Sequence, residues 1–149
     1  ALAQAVSAHD QVGGNIIVVE PAPEGEAHKY GIVDLEGQTG RLNRMRGMVE
    51  KPAPEVAPST LSIIGRYILQ PEIFDLLGSQ ERGAGNEVQL TDSMAKLIGT
   101  QPFHGFQFDG VRYDCGDKVD FLAANVAYGL AREDLASKFA PVLEKLIGK

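Results

Sequence analysis

The sequence predicts an α/β fold that ends in helices, and three observations carry that expectation. Ile16-Ile17-Val18-Val19 is a β-branched run of the kind found in a strand covered on both faces. Residues 30–35 and 42–50 are two further strand-like runs, and the turn signal Glu36-Gly37-Gln38-Thr39-Gly40 between them suits an antiparallel hairpin. Leu90, Met94, Leu97 and Ile98, and then Leu135, Phe139, Val142, Leu143, Leu146 and Ile147, fall at helical spacing on one face.

The remaining elements follow in order. Residues 1–10 have the composition of a helix, and Gly13-Gly14 end it, glycine being the usual residue past a helix C-terminus. Residues 21–28 carry two prolines and a glycine and form a loop. After the proline-rich stretch 51–58, residues 61–69 read as a strand, with Gly65 bending it or letting a ligand approach its backbone. Pro71 suits the first turn of a short helix to Leu77, and residues 78–86 are a flexible connection. Met94 is expected to fill core. Residues 103–109 alternate as a strand, and Val111 to Asp114 reads as another that ends at carboxylates. A helix leaves that site through Phe121, Leu122, Asn125 and Val126, and Pro141 is expected to kink the last helix or restart it.

At 149 residues, 44% hydrophobic and 23% charged, the chain has the size and composition of one globular domain. A net charge of −6 and the absence of any Lys/Arg run argue against nucleic acid as a partner. No stretch approaches the length of a membrane span. One cysteine rules out an intrachain disulfide framework, and with no signal-like apolar segment the expected location is the cytoplasm. The chain opens on a helix without an initiator methionine, so it reads as a piece of something longer.

Chemistry concentrates where strands end. Gly47-Met48-Val49-Glu50-Lys51-Pro52 delivers a carboxylate and an ammonium to the end of an apolar run, and Pro52 cannot continue a ladder. Ligands of open α/β sheets bind beyond such ends. Glu50 can accept from hydroxyls and Lys51 can offer a point charge to a phosphate; the plainer alternative is a solvated ion pair. Asp114 and Asp117 flank Cys115-Gly116 and offer hard oxygen ligands for magnesium. Asp117 is better read as a helix N-cap, Asp114 as functional. His9, His28 and His104 lack partners at ligand spacing, so zinc has little support, and Cys115, between two aspartates, has neighbours of the wrong sign for a reactive thiolate and is read as structural. No glycine loop of the strand-glycines-helix kind that cradles phosphate is present.

Five segments then carry a resemblance: Lys29-Tyr30-Gly31-Ile32-Val33, Met48-Val49-Glu50-Lys51-Pro52, Ile64-Gly65-Arg66-Tyr67-Ile68-Leu69, Gly83-Ala84-Gly85-Asn86-Glu87-Val88-Gln89-Leu90-Thr91-Asp92 and Tyr113-Asp114-Cys115-Gly116-Asp117-Lys118. In order and spacing they resemble the C-terminal half of bacterial UTP:glucose-1-phosphate uridylyltransferases, the UDP-glucose pyrophosphorylases. The resemblance spans nearly the whole chain. It implies the C-terminal half of a Rossmann-like nucleotidyltransferase mixed sheet with C-terminal helices, and the conversion of UTP and glucose 1-phosphate to UDP-glucose and pyrophosphate. It implies that Glu50 accepts sugar hydroxyls, Lys51 holds the sugar phosphate and acts in catalysis, Gly31 lets the sugar approach the backbone, and Asp114 is one of two magnesium-binding aspartates. Tyr30, Gly65 and Glu87 are implied to stand nearby.

The same resemblance implies what is missing. The family's nucleotide loop, its lysine and its second metal-binding aspartate belong to the N-terminal half, so residues 1–149 are expected to be one partial domain, inactive alone. An open strand edge and an uncovered apolar face are expected with it. Residues 118–149 are expected to be helical and to take part in subunit contacts of a homo-oligomer. Two other readings remain at this point: a non-catalytic sugar-phosphate-binding or oligomerisation module, and a transferase for another hexose 1-phosphate or for dTTP.

Overall fold

The computed structural model describes residues 1–79 and 88–148. The chain divides into two compact units, Ala1–Asp109 and Gly110–Lys149.

The first unit begins with α1 (Leu2–Val12), which stops at Gly13 with φ 67°. Gly14 also takes a positive φ, and a Cβ there would stand 2.6 Å from the Pro102 carbonyl oxygen, so only glycine lets the chain turn this close to its neighbour. β1 (Asn15–Pro21) follows. Its residues Ile16 to Val19 are at most 1% exposed, as expected of a strand covered on both faces. Ile17 and Val19 point into one core with Val33, Met45, Leu61 and Phe103, whereas Ile16 and Val18 meet Ala5 of α1 on the other side.

The hairpin expected from the turn signal is β2 (Gly31–Leu35) against β3 (Leu42–Glu50), in antiparallel register from Gly31↔Glu50 to Leu35↔Met45. Asn43 fixes its turn, accepting from the Thr39 amide at 2.8 Å and donating to the Gly40 carbonyl at 3.0 Å. β4 (Leu61–Ile68) runs antiparallel to β1, and β5 (Phe103–Gln107) runs parallel to β1 and antiparallel to the start of β3. The strands thus form a mixed sheet that closes on itself in the order β1-β4-β2-β3-β5.

Closure is thin at one place. β4 meets β2 at a single position, Ile32↔Ser62, so among the described strands the outer edge of β4 beyond Ser62 has no partner. The expected open edge is there, and both faces of β1 are covered, while large apolar side chains such as Leu2, Val6, Val119, Phe121 and Leu122 are exposed elsewhere. α2 (Ile73–Ser79) and α3 (Leu90–Leu97) pack on the larger core through Ile73, Leu97 and the fully buried Met94. Gly78 lies inside α2 rather than in the connection expected there, and residues 80–86 of that connection lie outside the described residues. Asn15, fully buried, holds the end of the sheet together. It donates to Gln101 Oε1 at 2.9 Å and accepts from the Gln70 amide at 2.7 Å.

The second unit corrects two expectations. Residues 111–114 are not a strand: the amides of Asp114 and Asp117 are engaged by the Asp120 carboxylate and the Asp114 carbonyl, which makes a turn instead of a ladder. Helix α4 (Lys118–Ala131) begins there, and α5 (Glu133–Leu146) runs unbroken through Pro141. Proline removes one helical hydrogen bond, and at this exposed position water can satisfy the carbonyl left over. The two helices pack closely where a Cβ on Gly129 would stand 2.9 Å from the Phe139 ring. The α5 stripe packs less than its pattern suggested: Phe139 and Leu143 are half-buried, while Val142, Leu146 and Ile147 are exposed. No described helix is long and apolar enough to cross a membrane.

Candidate functional site

β3 ends at Glu50, and Lys51 then takes a left-handed backbone with φ 48°, a conformation costly for any residue with a Cβ. Its amide donates to the Tyr30 carbonyl at 3.0 Å, which pins the strand end to the residue before β2. The next residue, Pro52, is buried. Directly across the ladder from Glu50 is Gly31, and a Cβ there would stand 3.0 Å from Glu50 Oε2, 3.1 Å from Ile63 Cδ1 and 3.6 Å from Thr91 Cγ2. Glycine therefore keeps open a space bounded by three chain segments.

That space is a cavity of about 340 Å³. Tyr30, Gly31, Glu50 and Gly65, all singled out from the sequence, line it together. Gly65 enters through an irregularity of β4: Ile17 pairs with Tyr67 but Val19 with Ile63, and Gly65 has φ 70° within the surplus residues. Lys51 stands beside the cavity without lining it, its Nζ 4.0 Å from Glu50 Oε1. Glu87 lies outside the described residues.

The cavity also holds residues to which the sequence reading gave no role. Ile63 and Tyr67 come from β4, Gln89 and Thr91 from the start of α3, and Lys29 from the short helical turn Ala27–Lys29. Burial, and after it the Glu50 carboxylate, pushes the Tyr67 phenol above its usual pKa, with Arg66 opposing. Tyr67 therefore remains a neutral hydroxyl donor at neutral pH. The cavity can accept hydroxyls at Glu50, donate from Tyr67, and offer ammonium charge at its rim.

Asp114 lies in the second unit. Its Oδ1 accepts from the Gly116 amide at 3.0 Å, and its Oδ2 stands 3.5 Å from Arg112 Nη1. Asp117 caps α4, its Oδ1 accepting from the amides of Val119 and Asp120 at 2.8 and 3.0 Å, as the N-cap reading expected. Among the described residues no three His, Cys, Asp or Glu side chains come together to hold a metal ion. Magnesium is commonly held by one or two carboxylates plus phosphate oxygens, and Asp114 fits the part of one such ligand once its oxygen leaves Arg112. Cys115 is exposed, so it does not fill a core. His28 Nδ1 pairs with the Gly25 carbonyl at 3.1 Å, and the buried Nδ1 of His104 has no hydrogen-bond partner among the described residues.

The chain is similar to known proteins. The chain is 47% identical over 118 residues to a UTP–glucose-1-phosphate uridylyltransferase of Komagataeibacter xylinus, an alignment covering 79% of this chain and 42% of that protein. Among solved structures, a UTP-bound UGPase from Acinetobacter baumannii matches with TM-score 0.83 and 34% identity, covering 96% of this chain and 49% of that one. A UDP-glucose pyrophosphorylase complexed with UDP-glucose matches with TM-score 0.78 and 36% identity over 87% of this chain and 49% of that one. The α/β sheet with C-terminal helices is the fold shared with these structures. The chain spans about half the length of the curated relatives it matches. A model of the family described as nucleotidyl transferase matches residues 1–129, and with these relatives it shows that the chain belongs to the nucleotidyl transferase family.

Proposed function

We propose that this chain is the C-terminal, sugar-phosphate-binding half of a UTP:glucose-1-phosphate uridylyltransferase, the enzyme that makes UDP-glucose and pyrophosphate. The observation that carries the reading is the cavity at the end of β3. Gly31 faces Glu50 across the ladder there, and the space between them is held open by the lack of a side chain.

In this reading Glu50 accepts hydrogen bonds from sugar hydroxyls and the Gly31 backbone lets the ring approach. Lys51, whose ammonium is at the strand end, neutralises the phosphate that attacks the nucleotide's α-phosphorus. Positioning and charge stabilisation are most of what such a transfer asks of a protein. Asp114 would be one magnesium ligand, and the ion would supply neutralisation of charge on the phosphoryl oxygens. The exposed Leu146 and Ile147 of α5 support a contact with a second copy through the C-terminal helices. Inactivity of this chain alone is supported by its span, half that of its relatives, and by the absence of a phosphate-cradling glycine loop from its sequence.

The test is calorimetric titration of the 149-residue chain with glucose 1-phosphate and with galactose 1-phosphate, beside an assay for pyrophosphate release with UTP and magnesium. Binding of glucose 1-phosphate in preference to its epimer, with no pyrophosphate released, is the expected outcome. Failure to bind either sugar phosphate would overturn the site. Pyrophosphate release would overturn the view that the nucleotide half is elsewhere.

A further inference from the structure

We propose that Lys29 is a second cation of this site, touching the bound sugar phosphate directly and aimed there by Glu26. The inference rests on the sugar-phosphate reading above and adds a residue to it. Lys51 is the cation that the strand end suggested, yet the lysine among the described residues that line the cavity is Lys29. Lys51 Nζ lies 4.0 Å from Glu50 Oε1, and Glu50 is the one carboxylate among the described residues of the lining. A phosphate arriving beside Glu50 is repelled by its carboxylate, so a second ammonium at the cavity adds to what Lys51 offsets.

Lys29 is built to be that group. The turn Ala27–Lys29 is closed by the Lys29 amide on the Glu26 carbonyl at 2.9 Å and by the Tyr30 amide on the Ala27 carbonyl at 3.1 Å. One turn back, Glu26 Oε1 holds Lys29 Nζ at 2.7 Å. An ammonium carries three donors, so two remain for a ligand. Glu26 is not among the described residues of the cavity lining, so its carboxylate orients the ammonium from outside the cavity. The hydrogen bond to Glu26 also holds the Lys29 pKa above its ordinary value, which keeps the group charged throughout the physiological range.

The experiment is titration of the full chain and of Lys29→Met, Lys29→Gln, Lys29→Arg, Glu26→Gln and Glu50→Gln with glucose 1-phosphate and with glucose. Thermal unfolding of each variant checks the fold. Lys29→Met and Lys29→Gln should weaken glucose 1-phosphate by about tenfold, ~1.4 kcal/mol, and leave glucose unchanged. Lys29→Arg should restore most of the affinity, and Glu26→Gln should fall between. The loss should shrink as salt is added. If Lys29→Met and Lys29→Gln, both folded, bind glucose 1-phosphate like the unaltered chain while Glu50→Gln does not, the Lys29 proposal is wrong and the site reading survives. If the unaltered chain itself does not bind, both fall together.

Discussion

Gly31→Ala separates the cost of filling the cavity from the cost of disturbing the fold. The added methyl would meet Glu50 Oε2 at 3.0 Å, Ile63 Cδ1 at 3.1 Å and Thr91 Cγ2 at 3.6 Å. All three are ends of side chains, and Gly31 needs no positive φ, so the backbone can stay where it is. Overpacking a rigid core costs ~1–3 kcal/mol, but here the neighbours can yield by a few tenths of an ångström. Replacing glycine also restricts the unfolded chain, worth ~0.4–1 kcal/mol in the opposite direction. Net stability by urea denaturation should therefore change by less than ~1 kcal/mol. Binding has no such compensation, because the methyl occupies the floor of a cavity of about 340 Å³ and pushes the Glu50 carboxylate. Losing one well-placed contact with that carboxylate costs ~1.5–3 kcal/mol, roughly 10- to 100-fold in affinity for glucose 1-phosphate. Gly47→Ala, whose methyl would meet nothing closer than 4.0 Å, is the control and should bind normally. Wild-type affinity in Gly31→Ala would refute the idea that this glycine is there for a ligand.

Other outcomes follow from single contacts. Lys51→Gly should be more stable than Lys51→Ala by about 1 kcal/mol in urea, because only glycine adopts a φ of 48° without strain; equal stabilities would mean that the position is relaxed. Asp117→Ala should lose ~0.5–2 kcal/mol and speed hydrogen exchange at the Val119 and Asp120 amides, and unchanged exchange there would remove the cap from the account. His104 has its pKa lowered below 6.5 by burial first and Arg44 next, with Glu36 opposing. Its folded pKa is thus below its unfolded one, so the unfolded chain takes up the proton more readily. The corresponding stability is present above pH 6.5 and lost as pH falls through the folded value. His104→Leu should flatten that acid limb in urea titrations at a series of pH values, and an unaltered slope would contradict it.

The hairpin, the buried β1 and the cap at Asp117 were legible from local patterns, because each depends on neighbours a few positions away. The cavity was half legible. Glu50 announced itself as a charge at a strand end, and Gly31 through the family segment. Tyr67 carried a weaker signal: it shares the alternation of Ile63 and Gly65 along β4, which puts all three toward one face. Lys29 stood in the same family segment as Gly31 but was given no role, since nothing in the order of residues says that a three-residue turn brings it to the end of β3. Val111 to Asp114 misled for a different reason. Valine and tyrosine favour strands, but Val111 is 71% exposed and the amides that a neighbouring strand would need are taken by Asp120 and Asp114.

The buried Asn15 has a consequence for the order in which the molecule assembles. Its partner Gln101 is 86 positions away, whereas Asn43 closes the hairpin turn with Thr39 only 4 positions off. Contacts distant along the chain carry the larger entropy of loop closure and form late. The β2–β3 ladder, and with it the Gly31–Glu50 pair, is therefore expected to form early, before β5 seals against β1. Pulsed hydrogen exchange during refolding should find the Ile32 and Val49 amides protected ahead of those of Ile17 and Gly105; the reverse sequence would place the seam, and not the hairpin, at the start.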